Sequence, residues 1–127
     1  MTEIKRFAEA LQKEDCADIR PTLEELLNKK DEDLLVITVR EFVASGLLVP
    51  GSKKAAVISG IILDHEPRRS LLANFARKLG DSSMANCYIS WSDGVLAKNV
   101  HLEPEELAKE WSHLEAVKGI RRILSTV

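Results

Sequence analysis

The chain has 127 residues, of which 45% are hydrophobic and 30% are charged, and its formal net charge at pH 7 is −2. This size and composition are typical of one globular domain, so residues 1–127 are treated as a single domain. A net charge so close to zero excludes a strong overall attraction to nucleic acid or to an anionic membrane. Two cysteines are too few for a disulfide framework, and no apolar run has the length of a membrane span. We therefore expect a cytoplasmic protein with no membrane partner.

Apolar residues recur at helical spacing along most of the chain, with polar residues between them. The first such stripe is Ile4, Phe7 and Leu11. The second follows Thr22, which together with Glu25 has the form of a capping box. The helices predicted in this way cover residues 2–13, 22–30, 31–44, 52–63 and 67–79 and a last segment that begins at 104.

The most apolar run is AAVISGIIL, from Ala55 to Leu63. Its hydrophobic residues cover two sides of a helix, which predicts a buried helix against which the neighbouring helices pack. Gly60 interrupts the run and is interpreted as a point of close approach between backbones. A buried strand is the alternative for this run, and it would replace the helical domain with a small mixed sheet.

The hydrophobic period changes after residue 86. Side chains alternate from Cys87 to Trp91, and Asp93-Gly94 is a strong signal for a two-residue hairpin turn. The segment from 95 to 102 would return as the second strand. The predicted fold is therefore mainly α: a compact domain of five to six helices, with one β-hairpin inserted before the C-terminal helix. The alternative is an α+β fold with a small mixed sheet.

No pattern in the sequence indicates catalysis. The residues that could ligate a metal show no ligand spacing. They are His65, His101, His113, Cys16 and Cys87. The acidic clusters at 31–33 and 103–106 open predicted helices, where the helix dipole accounts for them. We therefore predict no enzyme activity, no catalytic residues, no cofactor and no metal.

The first hypothesis for function is a protein-interaction module, such as an adaptor, an inhibitor or an assembly subunit. Tryptophan and arginine are enriched among the residues that dominate protein interfaces. The last helix also carries a second apolar stripe, which exceeds the need of one packing neighbour. The predicted contacts to another protein or to a second copy of the chain are Trp91, Trp111, Val117, Ile120, Arg121, Ile123 and Leu124.

The second hypothesis is a nucleic-acid-binding regulator. The order helix, helix, hairpin is that of a winged-helix unit, in which the second helix enters the major groove and the hairpin forms the wing. A cluster of basic and polar residues lies on the helix before the predicted hairpin. The predicted nucleic-acid contacts are Arg68, Arg69, Asn74, Arg77, Lys78 and Lys98.

Overall fold

The computed structural model describes the backbone of residues 2–65, 70–84, 86–99 and 104–126, and within these ranges it describes all side chains except those of residues 2, 94–99 and 104–113. The described ranges contain seven α-helices and no strand. The helices are α1 Thr2–Gln12, α2 Ile19–Asn28, α3 Glu32–Ala44, α4 Lys53–His65, α5 Leu71–Gly80, α6 Tyr88–Asn99 and α7 Pro104–Ser125. The mainly helical prediction is confirmed.

Every helix contributes to one apolar core. Its largest wholly buried side chains include Phe7 on α1 and Phe42 on α3, whose ring centroids lie 5.5 Å apart. Helix α3 packs against α2, α5, α6 and α7, whereas α4 packs mainly against α5 and α2. The run Ala55–Leu63 is thus helical, as predicted, but only one of its faces is buried, since Ala56 and Gly60 are exposed. Helix α3 packs against more helices than α4 does.

Glycine permits a close helix contact, although not at the predicted position. A Cβ placed on Gly60 would meet no described residue within 4 Å. A Cβ placed on Gly80, at the end of α5, would lie 2.9 Å from the Cβ of Ser59 on α4. The close approach between α4 and α5 therefore depends on Gly80.

Helix α2 begins three residues earlier than the capping-box pattern predicts. Pro21 is its third residue, and this is acceptable because the first backbone N–H groups of a helix have no intrahelical acceptor. The hydroxyl of Thr22 donates to the carbonyl oxygen of Asp18 at 2.7 Å. Since that hydroxyl donates to a carbonyl oxygen of the previous turn, Thr22 lies within the helix and does not cap it.

The predicted hairpin is wrong over residues 88–99, because this segment is helix α6. The two periods place different residues in the core: alternation separates Tyr88 from Trp91, while a helical turn puts them on one face. On the predicted strand, Cys87 would share the buried face with Trp91, and Tyr88 would lie on the opposite face. In the structure Tyr88 is wholly buried and Cys87 is exposed. Packing of Tyr88 and Trp91 on Phe75 of α5 selects the helical period.

The second apolar stripe of α7 is largely used inside the chain. Ile120 is wholly buried, so it belongs to the core and is closed to a partner in this conformation. Val117, Ile123 and Leu124 are half-buried and pack against the same core. Helix α7 contacts both α3 and α1, so neighbours within the same chain account for the burial of this stripe.

Candidate functional site

The residues that form the candidate site begin on α5. Ser70 caps this helix by accepting a hydrogen bond from the backbone N–H of Ala73 at 3.0 Å. The buried face of α5 includes Leu72, Phe75 and Leu79. Leu71, Asn74 and Lys78 are spaced at i, i+3 and i+7 and therefore share an outer face of the helix.

Helix α6 places an aromatic side chain beside this face. The indole ring of Trp91 lies 5.0 Å from the ring of Phe75, centroid to centroid, at an interplanar angle of 58°. Tyr88 completes the cluster, with its ring 6.3 Å from Phe75 and 6.2 Å from Trp91. Two buried rings thus hold the half-buried indole in place.

A groove of about 390 Å³ separates the two helices. We call it the α5–α6 groove. Its lining residues combine an aromatic ring, an aliphatic side chain, an amide, two cations and one carboxylate. They are Trp91, Leu71, Asn74, Arg77, Lys78 and Asp81.

The charged groups of the groove have defined neighbours. The ammonium nitrogen of Lys78 lies 5.9 Å from the centroid of the Trp91 ring, within the range of a cation–π contact. An Nη of Arg77 donates to the Oδ1 of Asn74 at 2.9 Å. The Oδ1 of Asp81 accepts hydrogen bonds from the hydroxyl of Ser83 at 2.7 Å and from its backbone N–H at 2.9 Å. These bonds, the hydroxyl first, lower the pKa of the Asp81 carboxyl, and the nearby Lys78 adds to the effect.

A second groove, of about 440 Å³, lies between α3 and α7. Its charged residues, Glu41 and Arg121, are paired with each other, and Arg40 also binds Glu41. Because the charged residues of this groove pair with one another within the chain, their role is to stabilise the packing of α3 and α7. The α5–α6 groove is the stronger candidate for binding.

The structure brings together residues from both functional hypotheses. Asn74, Arg77 and Lys78 were predicted to bind nucleic acid and Trp91 to bind a protein, and all four line the α5–α6 groove. Arg121 is engaged by Glu41 on α3. Arg68 and Arg69 lie outside the described residues, as do the side chains of Lys98 and Trp111.

Two lining residues were absent from the predicted site. Leu71 belongs, by its apolar character and its spacing from Phe75, to the stripe that the sequence predicts to be buried. In the structure it is only half-buried and lines the groove. Its spacing of three and seven residues from Asn74 and Lys78 is the signal that places it there. Asp81 follows the helix end, and its position in the groove depends on how α6 packs against α5.

Within the described ranges, no group of three or more His, Cys, Asp or Glu side chains could hold a metal ion. Among the helices in that part of the chain, none combines the length and the apolar character needed to cross a bilayer. No protein-family model, no curated protein and no solved structure matches the chain.

Proposed function

We propose that the chain is a non-enzymatic protein-interaction module and that the α5–α6 groove is its binding surface. The observation that carries the proposal is the position of Trp91, a half-buried ring beside Arg77 and Lys78 in one groove. Tryptophan and arginine are the residue types most enriched where binding energy concentrates in protein interfaces. The partner is another protein or a second copy of this chain.

The packing behind Trp91 supports this role. A binding residue contributes most when its side chain is already held in the bound position, because little conformational entropy is then lost on association. Phe75 and Tyr88 hold the indole from the core side, and the Lys78 ammonium lies near its ring. A partner side chain would therefore meet a surface that is formed before binding.

Site-specific photo-crosslinking in cells of the source organism tests the proposal. A photoreactive amino acid is placed at Asn74, an exposed position in the groove, and at Lys5, an exposed position on α1 as the control. We expect one discrete protein adduct from position 74, none from position 5, and loss of the adduct when Lys78→Glu is added. The same adducts from both positions, or no protein adduct from position 74, would contradict the proposal.

Nucleic-acid binding is the second candidate, and one observation favours it. Asn74, Arg77 and Lys78 lie beside Trp91, and single-stranded nucleic acid is bound by cations next to aromatic rings on which bases stack. The winged-helix form of this hypothesis has no support, because residues 88–99, which were predicted to form part of the wing, are helical. Affinity for a single-stranded oligonucleotide, measured across a salt series, should fall with salt and fall further in Arg77→Ala if this candidate is correct.

A further inference from the structure

We propose that the α5–α6 groove binds a peptide segment of a partner protein in which an acidic side chain lies next to an apolar one. This inference rests on the proposed function and identifies the chemistry of the occupant. The apolar side chain would pack against Trp91 and Leu71, and the carboxylate would pair with Lys78 and Arg77. Each part follows from a separate property of the groove.

The acidic part of the occupant follows from charge complementarity. Several cations elsewhere on the surface are already paired with carboxylates: Arg6 with Glu25 at 2.9 Å, and Lys29 with Glu3 at 3.1 Å. Lys78 differs from them, since it forms no ion pair within the part of the chain that the structure describes, and its ammonium lies near the Trp91 ring. The Lys78 ammonium is therefore the group in the lining that an acidic side chain of the occupant would pair with.

The apolar part follows from the wall that Trp91 and Leu71 form. Both side chains are half-buried, so each keeps an apolar surface in the groove. Phe75 packs against the indole from the core side. The volume of about 390 Å³ falls at the lower end of the range for small-ligand sites, which suits two or three side chains of one segment.

Asp81 favours such a peptide over a polyanion. Its carboxylate accepts two hydrogen bonds from Ser83, which lower its pKa further below neutral pH and hold it in position. A negative charge in the groove repels the phosphates of a polyanion that pass close to it. A segment with one carboxylate can instead place that group beside Lys78 and keep neutral side chains near Asp81.

Selection from a display library of randomised peptides, followed by affinity measurements with labelled peptides, tests the inference. We expect the enriched peptides to carry Asp or Glu beside an aromatic or aliphatic residue. Lys78→Glu should weaken their binding at least about tenfold, because it replaces an attraction at the contact with a repulsion. The exposed Lys5→Glu makes the same charge change on α1 and should leave the affinity unchanged. Higher salt should weaken binding to the unmodified chain more than binding to Lys78→Met.

The results separate failure of this inference from failure of the proposed function. Enriched peptides without acidic residues, whose binding is lost in Trp91→Ala but kept in Lys78→Glu, would overturn the inference and leave the function standing. Peptides unaffected by either change, or no enrichment at all, would overturn both. Displacement of the peptides by a single-stranded oligonucleotide at equal concentration would overturn the inference in favour of nucleic acid. Because Trp91 packs against the core, its variant is used only if its helical circular dichroism is unchanged, and Leu71→Ala, which removes the other half-buried apolar side chain of the groove, otherwise takes its place.

Discussion

The carboxylate of Glu41 on α3 accepts a hydrogen bond from the Nε of Arg121 on α7, and the two atoms lie 3.1 Å apart. The Glu41 side chain is only 4% exposed, whereas that of Arg121 is 66% exposed. Arg40 binds the same carboxylate and also pairs with Asp93 on α6. A buried carboxylate is tolerated only when charged donors satisfy it. Arg121 and Glu41 join α7 to α3, and Arg40 and Asp93 join α6 to α3.

Removing the buried member of this network should cost more than removing the exposed one. We expect Glu41→Ala to lower the free energy of unfolding by about 1–3 kcal/mol, because Arg40 and Arg121 lose the carboxylate that they share, although Arg40 keeps Asp93. Arg121→Ala should cost about 1 kcal/mol or less, since its exposed guanidinium is well solvated. Urea denaturation measures both changes. Strict additivity in the double variant would show that the two residues do not act together.

Three glycines should respond differently to alanine. Gly51 has φ of 76°, and a Cβ placed on it would lie 2.7 Å from the Cα of Ser82, so Gly51→Ala combines backbone strain with a steric clash. Gly46 has φ of 83° but no described atom within 4 Å, so Gly46→Ala incurs the strain alone. We expect losses of about 2–4 and about 1–2 kcal/mol, respectively. Gly60→Ala, inside α4 and without close neighbours, should raise stability by about 0.5–1 kcal/mol. Thermal unfolding of the three variants would contradict this account if Gly46→Ala were the most destabilising.

Side-chain caps at two helix starts should contribute measurably to stability. Asp31 accepts from the backbone N–H of Leu34 at 3.0 Å, and Ser70 accepts from that of Ala73 at the same distance. Replacing either cap by alanine should cost about 1 kcal/mol. Ser90→Ala, at an exposed position in α6, is the matched control and should change stability by less than about 0.5 kcal/mol. A control loss as large as that of Ser70→Ala would argue against the capping explanation.

The single tyrosine should make the protein sensitive to alkaline pH. Burial raises the pKa of the Tyr88 hydroxyl above its ordinary value of 10.0, and that hydroxyl has no hydrogen-bond partner among the described residues. The unfolded chain therefore loses this proton at a lower pH than the folded chain, so the stability contribution is complete below about pH 10 and decreases above it.

Tyr88→Phe removes this dependence. Below about pH 10 its free energy of unfolding should lie within about 1 kcal/mol of that of the unmodified chain, because the lost hydroxyl is unpaired. Above that pH, the unmodified chain should lose up to about 1.4 kcal/mol per pH unit relative to the variant. Tyrosinate absorbance should then appear together with unfolding. Its appearance in the folded protein near pH 10 would contradict the burial argument.

Local pattern predicted the helical stripes, because a stripe depends on residues within one or two turns. It was less successful with the caps: Thr22 does not cap α2, whereas Asp31, predicted only to complement the helix dipole, accepts a backbone hydrogen bond at the start of α3. The error at α6 has the same origin: five alternating residues and an Asp-Gly pair fit a hairpin as well as a helix. The contacts of Tyr88 and Trp91 with Phe75, more than ten residues away, decide between them.

The candidate site was predicted only in part. The sequence placed Asn74, Arg77 and Lys78 on one predicted helix, but it did not predict that Lys78 shares a face with Asn74. It could not place Trp91 against them, since that requires the packing of α6 on α5. The α7 stripe was correctly identified as apolar, but whether α3 or a partner covers such a stripe cannot be decided from its spacing.

By itself, the sequence determined that this protein is mainly helical, that Ala55–Leu63 is an apolar helix, and that no motif in it indicates catalysis. These properties follow from composition and from periods of a few residues. Only the tertiary structure decided that Glu41 meets Arg121 across 80 residues and that α3 packs against α2, α5, α6 and α7. It also decided that the Trp91 ring and the Lys78 ammonium share one groove. The physical reason is that core packing is cooperative: each contact forms where all the helices bury the most apolar surface together, and no single segment contains that information.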